Sequence, residues 1–249
     1  MYGIYIEKDE AVEIIISVLS ISLAFALVFA GIDGMVAYPK EFLVFMAPLL
    51  VTVGSGFILH EMAHKLVAMF YGARARFKMW TTGLLVMLVT SIFGFLFAAP
   101  GAVYIYSSDI TRRENGIISL VGPITNLALV GVFIALEIFL PVNQYFSFLT
   151  GDLGGFGISN GMLRVWQFGA AINLMLALFN MIPAFPLDGS KVFDWSKMIW
   201  IGTVFVLLAI GMVIIDPAIV ISWGIMLLIF TALSGVIFGG SNARRRGSS

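Results

Sequence analysis

Long apolar runs leave this chain few ways to fold. About 20 apolar residues cross a bilayer as one helix. Stretches of that kind recur at roughly 11–30, 42–71, 115–140, 164–182, 197–215 and 217–238. Of 249 residues, 60% are hydrophobic and only 11% charged, against about a quarter charged in soluble domains. Backbone in hydrocarbon must satisfy its own hydrogen bonds, so the runs predict helices. The expected fold is an all-α polytopic membrane protein with about six transmembrane helices. Asp216-Pro217 marks a tight turn between the last two. The bilayer is the first expected partner, and nothing in the pattern of charge points to nucleic acid.

One segment departs from this regularity. Residues 81–99 are apolar enough to span, but Pro100-Gly101 interrupts them and a β-rich run, AVYIYSS, follows. Lysine and arginine placement decides between crossing and returning. If 81–106 is re-entrant and the N-terminus cytoplasmic, the inside collects Lys8, Arg74, Arg76, Lys78, Arg112, Arg113, Lys191, Lys197 and Arg244–Arg246. The outside keeps Lys40 and Arg164. The tendency of cytoplasmic loops to hold the positive charge favours that arrangement, with both termini inside a cell membrane. Arg74, Arg76 and Lys78 alternate with Ala75, Phe77 and Met79, the period of a short strand. The 74–106 region therefore reads as a strand-bearing re-entrant element; a plain helical hairpin is the alternative. The stretch 141–161, without lysine or arginine, reads as an outer loop.

Within the second apolar run lie both histidines of the chain, in His60-Glu61-Met62-Ala63-His64. Residues four apart share a helix face, so both imidazoles can address one ion. Glu61 is placed to act on a water beside it, the HExxH logic of two zinc ligands and a general base. Each ionisable residue in an apolar span costs roughly 2.5 kcal/mol or more on insertion scales. Three in five positions need a compensating partner, and a metal ion supplies one.

A catalytic zinc usually has three protein ligands. With no cysteine and no third histidine, the third must be a carboxylate. Both histidines fall in the inner half of a helix running inward, and depth leaves Asp188 and Asp194 as candidates. Asp188 follows Pro183 and Pro186 and precedes Gly189, a rigid unwound segment able to reach a neighbouring helix. Its competing role is to cap the next helix, which suits Asp194 better.

Three signatures in order make the sequence resemble the site-2 proteases, the zinc intramembrane metalloproteases. They are His60–His64, then Gly122-Pro123-Ile124-Thr125-Asn126, then Asn180 to Gly189 as NxxPxxPLDG. The resemblance covers about 42–195. No PDZ-like segment separates the spans, which matches the minimal prokaryotic form. Residues 81–106 are longer and more apolar than that form leads one to expect. The resemblance implies zinc, one per chain, held by His60, His64 and Asp188, with Glu61 catalytic. It also puts Asn126 and Asn180 on the substrate side, although an intramembrane Asn often only bonds a neighbouring helix. Asn173, one face with Asn180, reads as helix-to-helix glue.

The expected organisation is one transmembrane protease domain, 1–238, followed by a mobile basic cytoplasmic tail, 239–249. The expected activity is cleavage of single-pass transmembrane substrates within their helices. Two alternatives stand beside it: a non-catalytic zinc-binding scaffold or transporter, and a membrane-anchored protease acting on soluble peptides. The physiological substrate and the oligomeric state are not legible.

Overall fold

The computed structural model describes residues 6–96, 99–107, 109–151 and 153–246, with side chains to residue 232. The expected tail, 239–249, therefore lies outside the described side chains, and residues 247–249 outside the described residues altogether. Helix α1 (Lys8–Ala37) is broken at Gly31, whose φ of 68° suits glycine. Helix α2 (Pro39–Leu49) starts on a proline, which the first helical position tolerates. Pro48, inside it, lacks an amide, and a π turn over Leu50–Gly54 follows before α3 (Ser55–Phe70). The expected second run thus becomes one long element, Pro39–Phe70, with a π turn starting two residues after its internal proline.

Gly72, at φ 81°, turns the chain out of α3 into strand β1 (Arg74–Met79). Helix α4 (Thr81–Ile92) follows, and β2 (Gly101–Tyr106) returns antiparallel to β1, with Arg74 opposite Tyr106 and Met79 opposite Gly101. The excursion therefore starts and ends at one place. Its 12-residue helix, about 18 Å long, is well short of a bilayer. Helix α5 (Arg112–Phe139) opens on a reciprocal cap between Thr111 and Glu114.

Residues 141–161 were expected as loop. Instead β3 (Asn143–Tyr145), β4 (Ile158–Ser159) and β5 (Met162–Arg164) form a sheet in the order β3-β5-β4. Glu41 of α2 accepts from the Ser147 amide at 2.7 Å, and Arg164 pairs with Glu137 of α5 at 2.7 Å. The sheet caps the bundle and leads directly into α6 (Val165–Asn180). Helices α7 (Asp188–Trp195), α8 (Lys197–Ile214) and α9 (Pro217–Arg246) complete the fold. Ser196, not Asp194, caps α8, its hydroxyl accepting from the Ile199 amide.

Among the described residues, four helices are long and apolar enough to span: Lys8–Ala37, Pro39–Phe70, Arg112–Phe139 and Lys197–Ile214. The run expected at 164–182 is shorter, 16 residues of helix, and α6 is the most buried of the helices around the site. Phe168, Ala170, Ala171, Asn173 and Leu174 are all buried, and sheet and loop cover its ends. Its faces join two cores, one around Phe45, Phe146 and Phe168 and one around Leu174, Leu178 and Leu207. The molecule is a multi-pass helical membrane protein with two small β elements at its margins.

Candidate metal centre

The HEMAH turn of α3 faces α5 and the start of α7. The Nε2 atoms of His60 and His64 stand 3.1 and 3.0 Å from one oxygen of Asp188, Oδ2. The three side chains are buried, and their ligand atoms lie within 4.8 Å of one another. Asp188 arrives there as the first residue of α7, after an unwound segment that starts at Met181. Trp200 fixes that segment by donating its indole N–H to the Met181 carbonyl at 2.8 Å. Gly189 packs so tightly against Met181 that a Cβ would strike the same carbonyl. The other Asp188 oxygen faces Lys191 at 3.6 Å.

The remaining ring nitrogens determine what the cluster can bind. His60 Nδ1 donates to Asn126 Oδ1 at 2.6 Å, and His64 Nδ1 donates to the Ile118 carbonyl at 2.6 Å. With Nδ1 protonated, each neutral imidazole presents a bare Nε2. Two nitrogen lone pairs and a carboxylate oxygen then meet at one point, an arrangement that fits a cation. The two nitrogen-to-oxygen distances are close to the roughly 3.3 Å edge of a tetrahedron with bonds of about 2.0–2.1 Å. Gly122 keeps the point clear: a Cβ there would lie 2.5 Å from His64 Nε2 and 2.6 Å from His60 Nε2.

Asn126 is fully buried, and its polar atoms are committed within the protein. Besides accepting from His60, its amide donates to the Gly56 carbonyl at 3.2 Å and to Asn173 Oδ1 at 3.0 Å. Asn173 in turn donates to the Thr52 carbonyl at 3.1 Å, in the π turn. Asn126 thus orients His60, and it also borders the cavity beside the cluster; Asn173 supports it, a role beyond glue. The sequence signal was the Gly122–Asn126 signature for Asn126 and an apolar helix for Asn173, neither of which named the bonding partner.

Glu61 is buried beside His60, and its Oε2 accepts from the backbone amide of Val103 in β2 at 2.9 Å. Both residues border a cavity of about 400 Å³, mostly apolar, that Phe57, Asn126, Leu176, Phe179 and Asn180 also line. Asn180 holds its own helix at Leu176 with its side-chain N–H. Asp194 lies in the last turn of α7, outside the cluster.

A membrane-embedded zinc metallopeptidase is the class that this helical fold and this cluster define. The chain belongs to Peptidase family M50, the site-2 proteases, whose model matches residues 48–200. It is 40% identical over 197 residues to a zinc metalloprotease candidate of Methanocaldococcus jannaschii, MJ0611, covering 78% of this chain and 87% of that one. YwhC, a zinc metalloprotease candidate of Bacillus subtilis, is 28% identical over 173 residues, 65% of this chain and 73% of its own. No solved structure matches the chain. Its cofactor is zinc, and it acts on its substrates as a protease within the membrane fraction.

Proposed function

We propose that this protease cuts peptide bonds inside the transmembrane helices of single-pass membrane proteins. His60, His64 and Asp188 hold the zinc, and Glu61 is the catalytic acid–base. The placement of the HEMAH turn within Pro39–Phe70, a 32-residue element apolar enough to cross a bilayer, carries the reading. Zinc in this set supplies Lewis acidity, polarising a carbonyl and lowering the pKa of water. The Glu61 carboxylate takes a proton from the attacking water and later returns it to the departing amine. Asn126 keeps the His60 ring turned toward Asp188, and the Ile118 carbonyl does the same for His64. Asn180, which lines the cavity, lies on the substrate side.

A helical peptide bond is shielded by its own hydrogen bonds, so the substrate unwinds before it is cut. The unwound strand adds to the outward edge of β2, which lies directly beside Glu61. Helix-breaking Gly, Pro or Asn near the cut favours that step. Both termini and the β1–β2 element face the cytoplasm, the side from which water reaches the site, and the protease unit is a single domain with its core at 42–195. The test is cleavage by purified zinc-loaded protein of a panel of single-pass helices in detergent. Cleavage within the apolar segment, faster for helices with a central Gly or Pro, is expected. No cleavage of any helix while soluble peptides are cut would overturn the intramembrane reading.

A further inference from the structure

The two strands of the β1–β2 pair obey a strict parity. Trp80 donates to the Pro100 carbonyl at 2.9 Å, so even-numbered residues bond across the seam. Odd-numbered amides point away from it. Phe77 and Val103, opposite each other in register, illustrate this: Phe77 donates outward to Glu10, and Val103 donates outward to Glu61. The outward edge of β2 is thus formed by Gly101, Val103 and Ile105, with Val103 at its centre.

An antiparallel strand added to that edge takes both groups of an outward residue, its N–H and its C=O. At Val103 the N–H is already engaged by the Glu61 carboxylate. The substrate carbonyl and the general base therefore compete for one hydrogen. We propose that the Val103 amide is a substrate-sensing tether: it holds Glu61 against the strand until a docking substrate takes the amide and releases the carboxylate for proton transfer. This rests on the proteolytic reading above and adds a positioning group, the backbone of Val103, to it. An idle protease whose base is tethered is poor at hydrolysing whatever peptide drifts in, and seating of a strand and freeing of the base become one event.

Two replacements remove the N–H. Val103→Pro is compatible with an outward edge position, since no seam bond is lost; Val103→2-hydroxy-3-methylbutanoate, an amide-to-ester change introduced during translation, deletes the same hydrogen without a ring. Zinc content and melting temperature show that each variant folds. The probes are β-casein, an unstructured chain long enough to pair with the strand, and a fluorogenic tetrapeptide too short to do so. With the tether gone, tetrapeptide kcat/KM rises roughly tenfold, the weight of one charge-assisted hydrogen bond, while KM for β-casein rises by a similar factor with kcat undiminished. An unchanged or lower tetrapeptide rate in the ester variant overturns the tether while leaving the protease reading intact. Wild type that cuts neither these probes nor any transmembrane helix removes the protease reading, and the proposal with it. A readout independent of turnover is hydrogen exchange at Val103, expected to quicken at least tenfold in Glu61→Ala; unchanged exchange there also overturns the proposal.

Discussion

Glu10 and Glu61 accept the same bond from the two sides of one strand pair, yet they sit in opposite circumstances. Glu10 takes the Phe77 amide at 2.9 Å and also grips the Lys65 ammonium at 2.6 and 2.7 Å. It is 1% exposed and belongs to a closed ion pair that ties α1, α3 and β1 together. Glu13 repeats the pattern at Met79, so the β1 edge is sealed by α1. Glu61 takes the Val103 amide at the same 2.9 Å but borders a cavity and the metal cluster. A carboxylate with its charge neutralised by a lysine is structural. One held by a single amide beside open space can be released for chemistry.

That contrast breaks first, and most strongly, at Glu61. Glu61→Gln keeps the shape and the bond from Val103 but removes the base, so cleavage is expected to fall by 10³–10⁴-fold with zinc content and melting temperature held. Equal rates for mutant and wild type would remove Glu61 from the reaction. At the neighbouring cluster, Asp188→Asn should lose most of its zinc while Asp194→Asn keeps it, as read by metal analysis of the purified proteins; full zinc in Asp188→Asn would assign the third ligand elsewhere.

The mirror experiment is Glu10→Gln. It preserves the bond to Phe77 but leaves the buried Lys65 charge without its carboxylate, a change that typically costs about 3–5 kcal/mol. A large drop in melting temperature is expected, partly restored in Glu10→Gln/Lys65→Met, where no buried charge remains. An unaltered melting curve for the single mutant would show that the sealed edge contributes little. The smallest effect is expected one shell behind the metal: Asn126→Leu should weaken zinc binding about 10–100-fold, measured by competition with a chelator, and Asn173→Leu less.

What could be read from the sequence was whatever follows local periodicity or chemical elimination. His60, Glu61 and His64 share a turn of helix, so their convergence follows from spacing. Asp188 emerged because cysteine and a third histidine are absent and two prolines interrupt the helix before it. The β1 strand showed in its alternating charges. By contrast, the Glu10–Lys65 pair joins residues 55 apart, and the Asn126–His60 bond residues 66 apart. Those depend on how α1, α3 and α5 cross, which periodicity does not encode. The outer sheet escaped for another reason: its strands have two or three residues, too few to establish a period of two.

Gly122 has a meaning for the metal site that the ligands alone do not express. Four residues before Asn126 on the same helix, it presents bare backbone to both imidazole edges. The centre is therefore specified partly by an empty volume, and a single methyl group is enough to spoil it. A relative could carry every histidine, aspartate and glutamate of the motif and still be metal-free through an alanine at this one place. Anyone sorting active from inactive members of such a group by their ligands would misfile it; the vacancy has to be checked as well.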